Sequence, residues 1–105
     1  MQIQVNSDKS VVVDAGLILS VQERVSDVLD RFSDQITRVE IHLSDVDGER
    51  SSAHDKRCLL EARVSGRDPV AVTNQAPSPE EAASGAALKM QRLLSSMFGR
   101  QEDKS

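Results

Sequence analysis

The most constraining feature of this sequence is a stretch of alternating apolar and polar residues between Arg38 and Val72. It consists of three runs that are separated by segments rich in Gly, Asp and Ser. The apolar positions that share one side are Val39, Ile41 and Leu43 in the first run, Cys58, Leu60, Ala62 and Val64 in the second, and Val70 and Val72 in the third. A period of two predicts strands with one buried and one exposed face, which is typical of antiparallel sheets.

Two other segments have the three- to four-residue apolar period of amphipathic helices. The first covers residues 17–32, and Ser20 with Glu23 has the spacing of a capping box, so the regular helix is expected to begin there. The second covers residues 79–98. It is preceded by Ser78, a good N-cap residue, and it starts with a proline and two glutamates, which favour a helix start.

The elements predict a single α+β domain. The predicted strands are Gln2–Asn6, Ile36–Leu43, Asp55–Ser65 and Pro69–Thr73, followed by a linker over Asn74–Pro79. The order is β-α-β-β-β-α. Because each helix and the sheet has one apolar face, we expect two layers, a four-stranded mixed sheet with both helices on one face. The helical crossover makes the first two strands parallel if they are neighbours. Residues 1–98 form the domain, Gly99 ends the second helix, and 99–105 form a disordered tail.

Composition narrows the class of protein. The chain has 105 residues, one cysteine, and a net charge of −4 from 13 basic and 17 acidic residues. Overall charge alone does not suggest a nucleic-acid partner, since such domains are usually basic. A single cysteine alternating with core residues indicates a reduced thiol, and no apolar run resembles a signal peptide or a membrane span. We therefore expect a cytoplasmic protein without membrane contact.

Charge is nevertheless segregated along the two helices. In projection, four acidic residues fall together on the side of the first helix opposite its core, namely Glu23, Asp27, Asp30 and Asp34. Arg24 and Arg31 stack on the border between that acidic side and the apolar stripe, because they are seven residues apart. Lys89 and Arg92 share one border of the stripe on the second helix. If the helices lie side by side, these four cations are expected to line one groove; the alternative is that they are ordinary solvated flanks.

Sites for catalysis or metal binding have no support in the sequence. His42 and His54 have no further His or Cys at metal-ligand spacing. Asp45-Val-Asp47-Gly48-Glu49 lacks the length and terminal Glu of a calcium loop. Cys58 points into the predicted core, where it cannot act as a nucleophile. Glycine-rich phosphate loops and exposed aromatic residues for base stacking are also missing. The sequence therefore predicts no enzyme, no metal, no cofactor and no small-molecule substrate.

Three segments carry a resemblance to a known family. They are VEIHLSDVDG at 39–48, DKRCLLEARVSGRDPVAV at 55–72, and LKMQRLL at 88–94. Together they resemble the ribosome hibernation factors, also called ribosome-associated inhibitor A or sigma-54 modulation proteins. The resemblance extends from Ile3 to about Leu94 and implies the same order of strands and helices. The chain ends soon after the second helix, so it is similar to the short form of the family.

This resemblance implies a function. Members bind the small ribosomal subunit in the channel used by mRNA and tRNA, and they inhibit translation or store ribosomes under stress. They are not enzymes and need no cofactor. Binding uses Lys and Arg side chains that meet rRNA phosphates. The positions of this chain that match are Arg24 and Arg31 on the first helix, Lys56 and Arg57 at the start of the third strand, and Lys89 and Arg92 on the second helix. The resemblance is to a divergent, acidic form of the family, since Asp27, Asp30 and Asp34 occupy much of the first helix.

Two alternatives remain open at the level of sequence. The first is a protein-interaction module or stress regulator whose acidic helix face meets a basic protein, with weak or no ribosome binding. The second is a homodimer through a sheet edge or through the exposed sheet face, where Leu59 is an unexpected apolar residue.

Overall fold

A computed structural model of the protein describes residues 1–46 and 56–102, with side chains as far as Gly99. The elements are β1 (Gln2–Ser7), α1 (Ala15–Leu29) with a short 3-10 turn (Asp30–Phe32), β2 (Ile36–Asp45), β3 (Lys56–Val64), β4 (Val70–Ala76) and α2 (Pro79–Glu102). The sheet order is β1-β2-β3-β4, with β1 parallel to β2 and the other pairs antiparallel. The predicted α+β fold and its order of elements are confirmed.

The register explains why one face of the sheet is apolar. Ile41 of β2 lies opposite Val5 of β1 and Leu60 of β3, and Leu43 lies opposite Cys58. All the inward positions predicted for β2 and β3 are buried, and α1 and α2 cover them from the same side. Burial of this apolar surface at about 25 cal/mol per Å² is the main favourable contribution to folding.

The start of α1 differs from the prediction. The helix begins at Ala15, and Asp14 is its N-cap, with the carboxylate accepting a hydrogen bond from the Leu17 backbone N–H at 2.8 Å. The predicted capping box at Ser20 and Glu23 is therefore wrong. Both residues lie inside the helix, because Asp14 already satisfies the first free N–H groups one and a half turns earlier.

The start of α2 is confirmed, but its end is not where glycine suggested. The Ser78 hydroxyl accepts from the Glu81 N–H at 3.2 Å and donates to the Glu81 carboxylate at 3.2 Å, so Ser78 caps the first turn of the helix. The helix passes Gly99 and continues to Glu102. Glycine is therefore tolerated within this last helical turn rather than ending the helix. Of the predicted tail, residues 103–105 lie outside the described residues.

Removing the Ser78 hydroxyl should destabilise the protein measurably. We expect Ser78→Ala to lower the free energy of unfolding by about 1 kcal/mol, because the Glu81 N–H loses its acceptor. Urea denaturation followed by circular dichroism measures this change. Ser96→Ala on the exposed part of α2 is the matched control and should change stability by less than about 0.5 kcal/mol. Equal stability of both variants would show that the cap contributes nothing.

Strand β4 is longer than predicted and positions α2. Asn74, Gln75 and Ala76 belong to the strand and not to a linker. The Asn74 side chain is directed toward α2, where its amide donates to the Ala82 carbonyl at 3.3 Å. Gly85 leaves the space that this amide occupies, since a Cβ at that position would lie 2.1 Å from Asn74 Nδ2. A side-chain contact between strand and helix therefore sets the position of α2 over the sheet edge.

The two helices run side by side in the same direction. Three contacts join them, and the residue numbers increase along both helices from one contact to the next: Arg24 with Ser84, the Val28 carbonyl with Gln91, and Arg31 with Ser95. The helix α1 covers β1, and α2 covers β3 and β4. No helix within the described residues is long and apolar enough to cross a membrane.

Candidate nucleic-acid interface

Arg24 and Arg31 lie in the seam between the two helices. The Arg24 guanidinium donates to the Ser84 hydroxyl of α2 at 3.2 Å and to the Ser20 hydroxyl at 3.3 Å. Arg31, seven residues after Arg24, donates to the Ser95 hydroxyl of α2. Both arginines are exposed. Because their partners are neutral hydroxyls, the seam holds two positive charges in place without cancelling them.

Lys89 and Arg57 meet at the opposite side of α2, at the free edge of β4. The Lys89 ammonium donates to the Thr73 carbonyl at 2.8 Å, so it reaches over the edge of the sheet. A shallow polar pocket there is lined by Arg57, Thr73, Asn74, Gln75 and Lys89. Two cations with hydroxyl and amide neighbours can accept an anionic group such as a phosphate oxygen.

Arg92 and Lys56 have contrasting surroundings. Arg92 is exposed on the outer side of α2 and makes no hydrogen bond or ion pair with any residue that the structure describes. Lys56 is half-buried and forms an ion pair with Asp45 at 2.9 Å across β2 and β3. The Asp45 carboxylate balances the charge of Lys56, whereas Arg92 carries its full charge into solvent.

The four helix cations therefore do not line one groove, which corrects that expectation. Arg24 and Arg31 are in the helix seam, Arg57 and Lys89 are at the β4 edge, and Arg92 lies between these two sites on the outer surface of α2. An apolar stripe has two borders, and periodicity does not tell which border faces the neighbouring helix. Here Ser84 and Ser95 occupy the border that faces α1, and Lys89 occupies the other border.

The helical layer has an acidic half and a basic half. Glu23, Asp27 and Asp30 are exposed on the outer side of α1 and its 3-10 turn. By contrast, α2 carries no carboxylate between Ala82 and Gly99. Ion pairs among the described residues join Arg38 to Glu40, Lys56 to Asp45, and Arg63 to Glu61. None of them involves Arg24, Arg31, Lys89 or Arg92, so the basic half is not neutralised by a paired carboxylate within the described part of the chain.

The described residues offer no metal-ligand cluster and no reactive cysteine. Within residues 1–46 and 56–102 no three or more His, Cys, Asp or Glu side chains come together as a metal site. Cys58 is fully buried in the core, and this burial raises the pKa of its thiol to about 12. A thiol that stays protonated and inaccessible at neutral pH cannot act as a nucleophile.

Sequence reasoning missed the polar residues that organise the seam. Ser84, Gln91 and Ser95 recur at spacings of seven and four on α2, and each makes a hydrogen bond to α1. Such a polar stripe beside an apolar one could have indicated a helix–helix seam. The stacked pair of Phe32 and Phe98 was also missed. The two residues are 66 positions apart in the sequence (98 − 32), and a pattern within one element cannot reveal such a contact.

Comparisons with known proteins identify the fold. No family model matches the chain, and no curated protein matches its sequence. Among solved structures, the Thermus thermophilus Protein Y N-terminal domain aligns with a TM-score of 0.71 at 14% identity, over 92% of this chain and 99% of that one. A ribosomal subunit interface protein from Coxiella burnetii aligns with a TM-score of 0.69 at 16% identity, over 94% and 99% of the two chains.

These two likenesses extend over nearly the whole domain and agree with the architecture built above from register and packing. At such low identities they establish the fold, and they carry no information about individual side chains. The fold that the sequence resemblance implied is thus confirmed: this chain has the fold of the Protein Y N-terminal domain and of the ribosomal subunit interface protein.

Proposed function

We propose that this domain binds the small ribosomal subunit in the mRNA and tRNA channel and thereby inhibits translation or stores ribosomes under stress. It acts as a binding protein in the cytoplasm, not as an enzyme. Two observations support this proposal: the shared fold with a protein named for the ribosomal subunit interface, and a helical surface suited to phosphate groups. The second observation carries the proposal for this particular chain.

That observation is a group of exposed cations on the two helical segments, none of which pairs with a carboxylate in the described residues: Arg24, Arg31, Lys89 and Arg92. Binding to RNA phosphates releases condensed counterions, and each phosphate contact contributes roughly one unit to the salt dependence of the affinity. A cation that already pairs with a carboxylate must break that pair first. We therefore assign Arg57 a supporting role at the β4 edge and expect Lys56, paired with Asp45, to contribute least.

The net charge of −4 does not prevent such binding. At physiological ionic strength, charges separated by more than about 8 Å are largely screened from one another. The local charge of the surface that meets the RNA therefore matters more than the total. The acidic half of the helical layer lowers the affinity but leaves the basic half able to dock.

Arg92 offers the sharpest test of this surface, because it makes no bond within the described part of the chain that its loss could disturb. We expect Arg92→Glu to weaken binding to purified small subunits about tenfold, since it removes one charge-assisted contact and adds repulsion. The salt dependence should become shallower by roughly one unit. Co-sedimentation at several salt concentrations measures both quantities.

Arg63→Glu is the matched control for Arg92→Glu. Arg63 lies on the exposed face of the sheet, paired with Glu61 at 3.7 Å, so the change in charge is the same but the location is different. This variant should bind small subunits like the wild type. Equal weakening by both variants would show that only net charge matters, and unchanged binding of Arg92→Glu at low salt would contradict the proposed surface.

A second candidate is a protein partner with a basic surface. Glu23, Asp27 and Asp30 are exposed on α1 and its 3-10 turn, and Leu19 beside them is 56% exposed. This combination of carboxylates around an apolar side chain also suits a basic protein. Nuclease treatment separates the two candidates, because a complex with rRNA is lost and a complex held by a protein persists.

The predicted dimer through a sheet edge stays a prediction; Leu59 is 36% exposed on the open sheet face.

A further inference from the structure

Both phenylalanines of the chain meet at one end of the helical layer and are covered by arginines. The rings of Phe32 and Phe98 stack with centroids 5.8 Å apart at 26°. The guanidinium of Arg31 lies 4.7 Å from the centroid of Phe32, and that of Arg67 lies 5.2 Å from the centroid of Phe98. A guanidinium over an aromatic face is attracted by the ring quadrupole. The two rings thus lie in contact with two cationic planes.

The contacts fix the Arg31 side chain in one orientation. Phe32 lies beneath its guanidinium, and its N–H group donates to the Ser95 hydroxyl of the neighbouring helix. Arg31 is nevertheless exposed. An exposed arginine normally samples many rotamers, and ordering it costs free energy. Here that cost is already met in the folded protein, so a flat cationic plane is available to a ligand.

A pocket opens beside this plane, lined by Arg31, Phe32, Gln35, Ser95, Phe98 and Gly99. The Gln35 side chain is exposed and makes no hydrogen bond with any residue in the described part of the chain. Its amide offers both donors and an acceptor. The pocket therefore combines a guanidinium plane, aromatic ring edges and a free amide. An unpaired nucleobase requires the same three features, namely a stacking surface, apolar contact and partners for its edge.

We propose that this pocket binds one unpaired nucleobase of single-stranded RNA, stacked on the guanidinium of Arg31, with the Gln35 amide as hydrogen-bond partner of the base edge. This inference rests on the proposed function and specifies what the RNA contributes beyond phosphate. An acidic peptide is less well matched, because a carboxylate would use the N–H groups of Arg31 but neither the ring edges nor the acceptor of Gln35. The chain has no Trp or Tyr that could stack on a base, and we assign this role to Arg31, which lies over Phe32.

The test compares a short single-stranded RNA with an abasic ribose-phosphate chain of the same length at fixed salt. We expect the wild-type protein to bind the base-containing chain roughly fivefold more tightly, the factor for stacking one base. Arg31→Lys keeps the charge and loses the plane, so it should bring this ratio close to one; the ratio, and not the affinity for either chain alone, is the readout. Arg24→Lys is the matched control, because Arg24 lies in the same seam and contacts hydroxyl groups but no aromatic ring within the described residues, so it should keep the ratio.

Three results would overturn the inference. These are a wild-type ratio of one, an unchanged ratio in Arg31→Lys, or displacement of the RNA by polyglutamate as effectively as by the same concentration of RNA. The last result would assign the pocket to an acidic protein. A ratio of one together with salt-sensitive binding to small subunits would reject the base pocket and leave the proposed function standing. Base-dependent binding of RNA without co-sedimentation would reject the ribosomal function alone.

Discussion

Replacing Gly85 with alanine should lower the free energy of unfolding by about 1–3 kcal/mol, although alanine is the better helix former. In an open helical position this change would stabilise the protein by about 1 kcal/mol. At position 85 the new Cβ would lie 2.1 Å from Asn74 Nδ2 and 2.7 Å from its Cγ. The Asn74 amide would have to leave its bond with the Ala82 carbonyl, or α2 would have to move away from β4. Thermal or urea unfolding of the two proteins measures the difference.

The same change should have the opposite sign once Asn74 is shortened. In an Asn74→Ala background the three atoms nearest to the new Cβ are removed, so Gly85→Ala should stabilise by up to about 1 kcal/mol. The cycle then gives a coupling of roughly 2–4 kcal/mol, which is at the upper end of the range for residues in direct contact. Gly99→Ala is the control, because nothing lies within 4 Å of its Cβ position. Destabilisation of equal size in both backgrounds would mean that Asn74 is not the obstacle.

Stability should fall steeply at alkaline pH because of Cys58. Burial raises the pKa of its thiol from the ordinary value of 9.0 to about 12. Below about pH 9 the thiol is protonated in both the folded and the unfolded chain, so it adds no pH dependence. Above that pH the unfolded chain releases the proton and the folded protein does not. The free energy of unfolding should therefore fall by about 1.4 kcal/mol per pH unit from about pH 9 towards pH 12.

Urea denaturation at a series of pH values measures this slope, and Cys58→Ala provides the control. The alanine variant should be less stable at neutral pH, since it leaves a small cavity beneath the helices. It should also lose the steep alkaline decline that is specific to the thiol, while every other contribution to the pH dependence is the same in both proteins. Parallel curves for the two proteins would show that the thiol ionises as easily in the fold as in the unfolded chain.

The strands were predictable because their alternation is a local signal with a physical origin. Successive side chains of a strand point to opposite faces, so the positions of Ile41, Leu60 and Ala62 within their strands predict the buried face. No information about neighbouring strands is needed. All three are completely buried. The order of elements followed from the same pattern, and the two-layer arrangement followed because every element had a single apolar face.

Element ends were less predictable because several residues compete for the same role. Both Asp14 and Ser20 can cap a helix, and the start at Asp14 includes Leu17 in the helix, where it packs against the core. Gly99 could have been a C-cap, but α2 continues through it to Glu102. Asn74 is unfavourable in strands, yet it belongs to β4 because its amide bonds to the Ala82 carbonyl of α2. For Asp14 and Asn74, a tertiary contact outweighed a weak local preference.

The candidate site divides in the same way. Periodicity was enough to place four cations at the borders of apolar stripes, and the structure shows all of them exposed: Arg24, Arg31, Lys89 and Arg92. Which of them are neighbours was not evident. The prediction of one groove failed because Ser84 and Ser95, not Lys89, face the arginines of α1. The proposed ribosomal function depends on the basic half as a whole, so this correction moves the expected contacts without removing them.

By itself, the sequence determined which residues are buried, which strands and helices form, and where positive charge is available, because all of these depend on the spacing of residues within one element. Only the tertiary structure decided how the helices are rotated about their axes, and hence that Arg31 lies over Phe32 while Lys89 reaches the Thr73 carbonyl. Rotation is set by contacts between side chains far apart in the sequence, such as Asn74 against Gly85, and a local pattern contains no record of them.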